Sequence, residues 1–295
     1  MKRLALVAVS VFVLAGCGAF GTASAHTLSL AYKAGDTYKY KLHASSKQTV
    51  TTSEISFPLN FDISADESIK VKSVDSSGTA DLAITLSNLT MKSAMGGVSN
   101  TTTGVPAQTI NVQVGADGRL VSVEGNQLPG GTPMQAFSGL GGGFFITAVL
   151  PAKPVKPGDT WTKDYDQANP NGTGGTHVTS KSTYLRDESL NGVNAAVVET
   201  KSTMTIDMTI DESSPSSEMG MSGLTMKGTV TTDVTTWVDP DGHRVMKTHS
   251  TAADDATIDL KLPPPTRLSP PATAGPGFSG PMSAKGEATT DLTPA

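Results

Sequence analysis

The feature that most constrains this chain is a recurrent strict alternation of apolar and polar residues. Successive side chains of a β-strand point to opposite faces, so a period of two marks a strand with one buried and one wet face. Tyr38, Tyr40 and Leu42 alternate with Lys39, Lys41 and His43. Leu28, Leu30 and Tyr32 precede them, and Leu59, Phe61 and Ile63 follow. Ala80, Leu82, Ile84 and Leu86 come after the turn Asp75-Ser76-Ser77-Gly78. Ile110, Val112 and Val114 lead into Asp117-Gly118, a hairpin signal because glycine accepts positive φ.

The pattern continues in the second half. Met204, Ile206, Met208 and Ile210 share one parity, as do Leu224, Met226, Val230, Val234 and Val238. Asp241-Gly242 then turns the chain, and Ala256, Ile258, Leu260 and Leu262 close the series. The fold class this predicts is mostly β: antiparallel curved sheets, as a half-barrel or a sandwich. Composition agrees. Only 17% of the residues are charged and 5% aromatic, with 30 Gly and 18 Pro among 295, which disfavours a helical bundle. The net charge of −5 excludes a general basic surface for nucleic acid.

The chain repeats itself. Lys33-Ala34-Gly35-Asp36-Thr37-Tyr38 matches Lys156-Pro157-Gly158-Asp159-Thr160-Trp161, and Asp117-Gly118 matches Asp241-Gly242. The two landmarks lie at nearly the same offset, so a tandem duplication of about 120 residues is expected. Tyr38 and Trp161 are expected at equivalent core positions. A third echo, of Lys227–Thr235 in Lys285–Thr293, leaves two readings of the C-terminus, a last strand or a disordered tail.

The expected organisation is a signal peptide over 1–16, a tether over 17–27, a first β-rich repeat over 28–131 and a junction over 132–157. A second repeat covers 158–262, a Pro/Gly-rich loop 263–281, and the uncertain terminal stretch 282–295. In the junction, Thr132-Pro133 suits an N-cap and first helical position, so a short helical segment is expected there.

Lys2, Arg3 and the apolar run Leu4–Ala15 form an export signal, too short for a comfortable membrane span. Two cleavage readings stand. Leu14-Ala15-Gly16-Cys17 looks like a lipobox, with Cys17 lipidated and the protein held on the extracytoplasmic side of a membrane in the bacterial cell envelope. Ala23-Ser24-Ala25 is a secretory site that leaves His26 first. Cys17 is the single cysteine, so it has no internal disulfide partner and sits where acylation needs it.

The segment Leu150-Pro151-Ala152-Lys153-Pro154-Val155-Lys156-Pro157-Gly158-Asp159-Thr160-Trp161 resembles the core motif of an uncharacterised bacterial family of envelope lipoproteins. In that family a similar segment sits between two β-rich halves. The resemblance implies an envelope lipoprotein and transfers no functional residue, since the family has no established activity. More loosely, the layout resembles lipoprotein half-barrels that carry lipids in the bacterial envelope.

Catalytic signatures are sparse. Gly220-Met221-Ser222-Gly223 lacks the spacing of a nucleophile elbow, and no zinc helix, phosphate loop or dinucleotide fingerprint occurs. Asp239-Pro240-Asp241-Gly242 reads as a hairpin turn rather than a calcium loop. Met204, Met208 and Met226 fall on strand parities, as core or as lining for an apolar ligand.

The expected function is therefore that of a non-catalytic envelope lipoprotein without cofactor or metal, binding an apolar or lipid ligand between its sheets. Its partners would be the membrane through Cys17, and no nucleic acid. One alternative is a structural or protein-interaction module at the cell surface. A remote one is a secreted copper-binding protein using His26, with Met219, Met221 and Met226 as possible thioether ligands.

Overall fold

The computed structural model describes residues 25–124, 149–168, 172–210, 225–260 and 280–295. Among them there is no helix, and nearly everything is strand. The strands are β1 (Thr37–Thr51), β2 (Ser56–Val74), β3 (Ala80–Met95), β4 (Val98–Thr102), β5 (Gln108–Val114) and β6 (Leu120–Glu124), then β7 (Thr160–Ala168), β8 (Gly172–Leu190), β9 (Val193–Ile210), β10 (Thr225–Asp239), β11 (Arg244–Leu260) and β12 (Gly280–Pro294). They form one antiparallel sheet in the order β6-β5-β3-β2-β1-β12-β11-β10-β9-β8-β7, with β4 beside β3. The half-barrel alternative fits this curved, unclosed sheet. A sandwich does not, because all the described strands belong to this one sheet.

The order shows how the repeat is used. β1, β2, β3, β5 and β6 are one meander, and β7 to β11 are a second, running in the same direction along the sheet. The two opening turns are alike in detail. Gly35 and Gly158 both have φ +94°. The Gly35 N–H donates to the Val71 carbonyl, and the Val71 N–H returns to the Asp36 carbonyl, both at 2.9 Å. The Gly158 N–H donates to the Tyr184 carbonyl at 2.7 Å, and the Tyr184 N–H returns to Asp159 at 3.0 Å. Val71 and Tyr184 are both fully buried, and Tyr38 and Trp161 pack against the same core. A side chain at φ +94° is strained. Gly35→Ala and Gly158→Ala are each expected to cost about 1–2 kcal/mol, and the double variant about the sum, because the sites share no partner. Urea unfolding of the three variants checks this.

β12 lies between the meanders. It pairs with β1 from Tyr40↔Pro294 to Thr51↔Ser283 and with β11 from Thr248↔Leu292 to Leu260↔Gly280. The terminal stretch is thus a central strand of the sheet.

Alternation sends one set of side chains inward. In β1 these are Tyr40, Leu42, Ala44, Ser46, Gln48 and Val50, all buried, while Lys39, Lys41, His43 and Lys47 are on the outer face. At one end the inner faces of both halves share a core: Val71, Leu82 and Val112 from one, Tyr184, Val198 and Val238 from the other. The chain plugs this end with Leu28, Leu30, Leu150 and Val155. The alternation of Leu28, Leu30 and Tyr32 therefore marks an extended plug outside the named strands, not a sheet strand. Its backbone donates from Leu30 to the Ala116 carbonyl at 2.8 Å and from Ala31 to the His243 carbonyl at 3.0 Å. The turns carrying these carbonyls belong to opposite halves, so the plug ties them together.

The sheet edges approach each other at the plugged end. Lys163 of β7 lies 3.5 Å from Asp117 in the β5–β6 turn, and the Arg119 guanidinium sits 5.1 Å from the Tyr165 ring centre. The expected helix from Thr132, the signal peptide, Cys17 and most of the Pro/Gly-rich loop lie outside the described residues.

Candidate functional site

The end of the sheet opposite the plug is built differently. The second end of β1, the start of β2, the ends of β9 and β11 and the starts of β10 and β12 meet there. Their inward parity places Val50, Leu59, Met226, Ile258 and Met282 in a buried cluster, with Phe57, Phe61, Ile206 and Met208 half-buried against it. Met208 and Met226 are direct cross-strand partners. Thioether side chains are unbranched and adaptable, so a cluster of Met and Phe accommodates apolar groups of varied shape. The strands are 15–19 residues long for β1, β2, β8 to β12, about 50–60 Å, which separates the plugged end from the far end, open among the described residues.

Between the two ends the inner face mixes apolar side chains, Leu42, Ala44, Ile63 and Leu292 among them, with buried polar ones. Glu67 of β2 stands directly opposite Tyr40 of β1 and is 1% exposed. Neither of its carboxyl oxygens has a hydrogen-bond partner among the described residues. Burial pushes its pKa up to about 8, so it is a neutral carboxylic acid at pH 7. The Tyr40 hydroxyl is engaged elsewhere, donating to the Val245 carbonyl at 2.6 Å. Further along, Gln48 and Asp254 flank Gly286 from the two neighbouring strands. Burial raises the Asp254 carboxyl, partly offset by a hydrogen bond from Gln48.

The outer face carries the described cavity, about 1030 Å³, at the waist of the sheet. It crosses from β1 to β7 and is lined by hydroxyls such as Ser45, Thr289, Thr251, Thr231 and Thr203, with Lys47, Lys181, Lys201 and Asp233 among them. Ser46, Ala288, Ala252, Thr232, Ser202 and Ser180 occupy the inner face at the same level. Lys201 is held by Glu199 and Asp233, each at 3.4 Å. This cavity is lined mainly by hydroxyl-bearing and charged residues of the wet face, whereas the sequence suggested an apolar ligand between the protein's sheets. The described strands form one sheet, and among them an apolar surface away from the plug is offered by the inner face at the open end.

The residues singled out by sequence separate. His26 joins the plug: it bridges Val155 in both directions, at 2.7 and 2.9 Å, and its ring lies edge-on to Tyr184. Met226 is at the opposite end, and Met219 and Met221 fall outside the described residues, as does Cys17. Among the described residues no three His, Cys, Asp or Glu side chains are placed to hold a metal ion. Asp239 serves the hairpin, its carboxylate accepting from the Asp241 and Gly242 N–H groups at 3.1 and 2.7 Å. Sequence reasoning missed Glu67, Gln48 and Asp254. The signal was available, since each falls on the apolar parity of its strand.

No protein-family model and no curated protein matches this chain. Two solved structures are similar in part. One, titled for lipid–protein interactions in lipovitellin, aligns at TM-score 0.44 and 11% identity, over 90% of this chain and 26% of that one. The other is DynF from the dynemicin biosynthesis pathway of Micromonospora chersina, at TM-score 0.23 and 8% identity, over 94% and 86%. The chain spans about a quarter of the lipovitellin chain. Likeness at this level is a weak architectural resemblance between β-sheets and carries no functional argument.

Proposed function

We propose that the chain is an exported envelope lipoprotein, anchored through an acylated Cys17, that holds an apolar chain at the open end of its sheet without chemical change. The observation carrying this reading is the asymmetry of the inner face. One end is sealed by Leu28, Leu30, Leu150 and Val155, and the other leaves Phe57, Phe61, Ile206 and Met208 half-exposed around a Met-rich cluster. An aliphatic chain laid against them gains about 0.8 kcal/mol per buried methylene.

Titration of delipidated protein with a fluorescent fatty-acid probe tests the reading. Saturable binding is expected, weakened at least about tenfold by Phe61→Asp or Met208→Asp, since a carboxylate desolvated beside the chain costs more than 1.4 kcal/mol. Lys181→Ala on the outer face leaves binding unchanged. No binding by the unaltered protein, or equal binding by all variants, contradicts it. The hydroxyl-lined outer groove favours a second reading, an interaction module at the cell surface. Crosslinking to protein partners with no captured lipid would select it.

A further inference from the structure

We propose that one corner of the open end is a bilayer-docking edge, where the tips Ile55, Met95 and Val98 enter the interfacial zone of a lipid membrane. The inference deepens the reading above and takes the apolar class of ligand from it. Ile55 is 50% exposed, Met95 47% and Val98 73%. Ile55 closes the turn between β1 and β2, whereas Met95 and Val98 flank the Gly96-Gly97 hairpin between β3 and β4. The two turns belong to one corner. Leu59 faces Met95 across the β2–β3 pair, and the Gly96 N–H donates to the Pro58 carbonyl at 3.3 Å.

Turn chemistry requires none of the three side chains. The first turn is held by Thr52, whose N–H donates to the Ile55 carbonyl at 2.8 Å and whose hydroxyl accepts from the Ile55 N–H at 3.1 Å. The second is made by two glycines at positive φ. Large apolar residues are nonetheless placed at the tips, with Glu54 the single charge in the two turns. Phe57 and Phe61 follow Ile55 along the start of β2, so the exposed tips run into the apolar inner face.

The occupant that fits is a fluid bilayer. A stable protein interface buries at least about 1,000 Å² of matched surface, far more than two convex turns carrying three apolar side chains present. A bilayer interface needs no shape complementarity, only apolar side chains able to reach the acyl boundary. With so little charge at the corner, docking should be insensitive to ionic strength.

The test uses the full chain with Cys17→Ser, which removes the single cysteine. An environment-sensitive fluorophore is placed at Val98→Cys and, as a control, at Ser77→Cys in the β2–β3 turn of the plugged end. The probe is a vesicle of dioleoylphosphatidylcholine. At position 98, emission should shift to the blue, rise several-fold and be quenched by spin labels in the shallow acyl region. At position 77 it should not change. Added salt should leave both alone, and Ile55→Asp with Met95→Asp should reduce the signal at position 98 at least about tenfold. A label at 98 that stays aqueous with vesicles overturns the proposal. So does a blue shift without vesicles accompanied by a doubled mass, which would show a second copy paired along β4. Either failure leaves fatty-acid binding intact, whereas failure of the ligand reading abolishes that binding and leaves vesicle docking in place.

Discussion

Glu67→Gln should abolish a loss of about 3 kcal/mol in stability that the unaltered protein suffers between pH 4.5 and pH 7. In the folded protein Glu67 holds its proton up to about pH 8, because burial penalises the anion and no hydrogen bond among the described residues compensates. In the unfolded chain the same carboxyl ionises near its ordinary value of 4.5. Below that value both states are protonated and the group makes stability no function of pH. As pH rises through the window, the unfolded state releases its proton and the folded state does not, so stability falls. Above about pH 8 both states are ionised and the loss levels off. The sign is opposite to that of a salt-bridged carboxylate. Urea unfolding at pH 5 and pH 7 measures it as the change in midpoint, compared between the two proteins. A parallel fall in both would mean that another group is responsible.

Gly286→Ala should destabilise the protein by about 2–3 kcal/mol, and ending the chain before Gly280 should prevent cooperative folding. A Cβ at Gly286 would lie 2.5 Å from the Gln48 side chain and 2.5 Å from the Lys47 carbonyl oxygen. The backbone contact cannot be relieved by a rotamer change, so β1 and β12 must move apart. β12 is also the strand through which the two meanders pair, β1 on one side and β11 on the other. Without it each exposes a long unpaired edge, an invitation to aggregation. Loss of the single unfolding transition, seen by circular dichroism, is the expected signature of the truncation. A truncated chain that melts like the whole one would show that the plug alone holds the halves together.

Strands were legible because a half-buried sheet imprints period two directly on the residues, and Tyr38 to Leu42 or Met204 to Met208 could fall on no helix face. The repeat was legible because its turns demand particular residues: only glycine sits comfortably at φ +94°, and both copies have it. Parity, however, says which face a residue takes and not how the sheet bends, so a single rolled sheet and a sandwich read alike. Leu28 and Leu30 misled in the same way. Extended backbone buries alternate residues whether or not it joins a ladder, and theirs packs across the ends of the strands. The candidate site was visible only through its methionines. That Met208 and Met226 meet, and that Phe57 and Phe61 lie beside them, depends on a register between strands set by long-range pairing. Glu67 broke the parity of β2 in plain view, yet its isolation follows from what surrounds it in space.

The most direct measurement of the central claim is lipid mass spectrometry of the protein isolated without detergent exchange from the cells that make it. A co-purified acyl-chain lipid near one per protein is expected, lost on Met208→Asp, in addition to the acyl groups on Cys17. Protein that carries no lipid beyond its anchor, and captures none from vesicles, would contradict it.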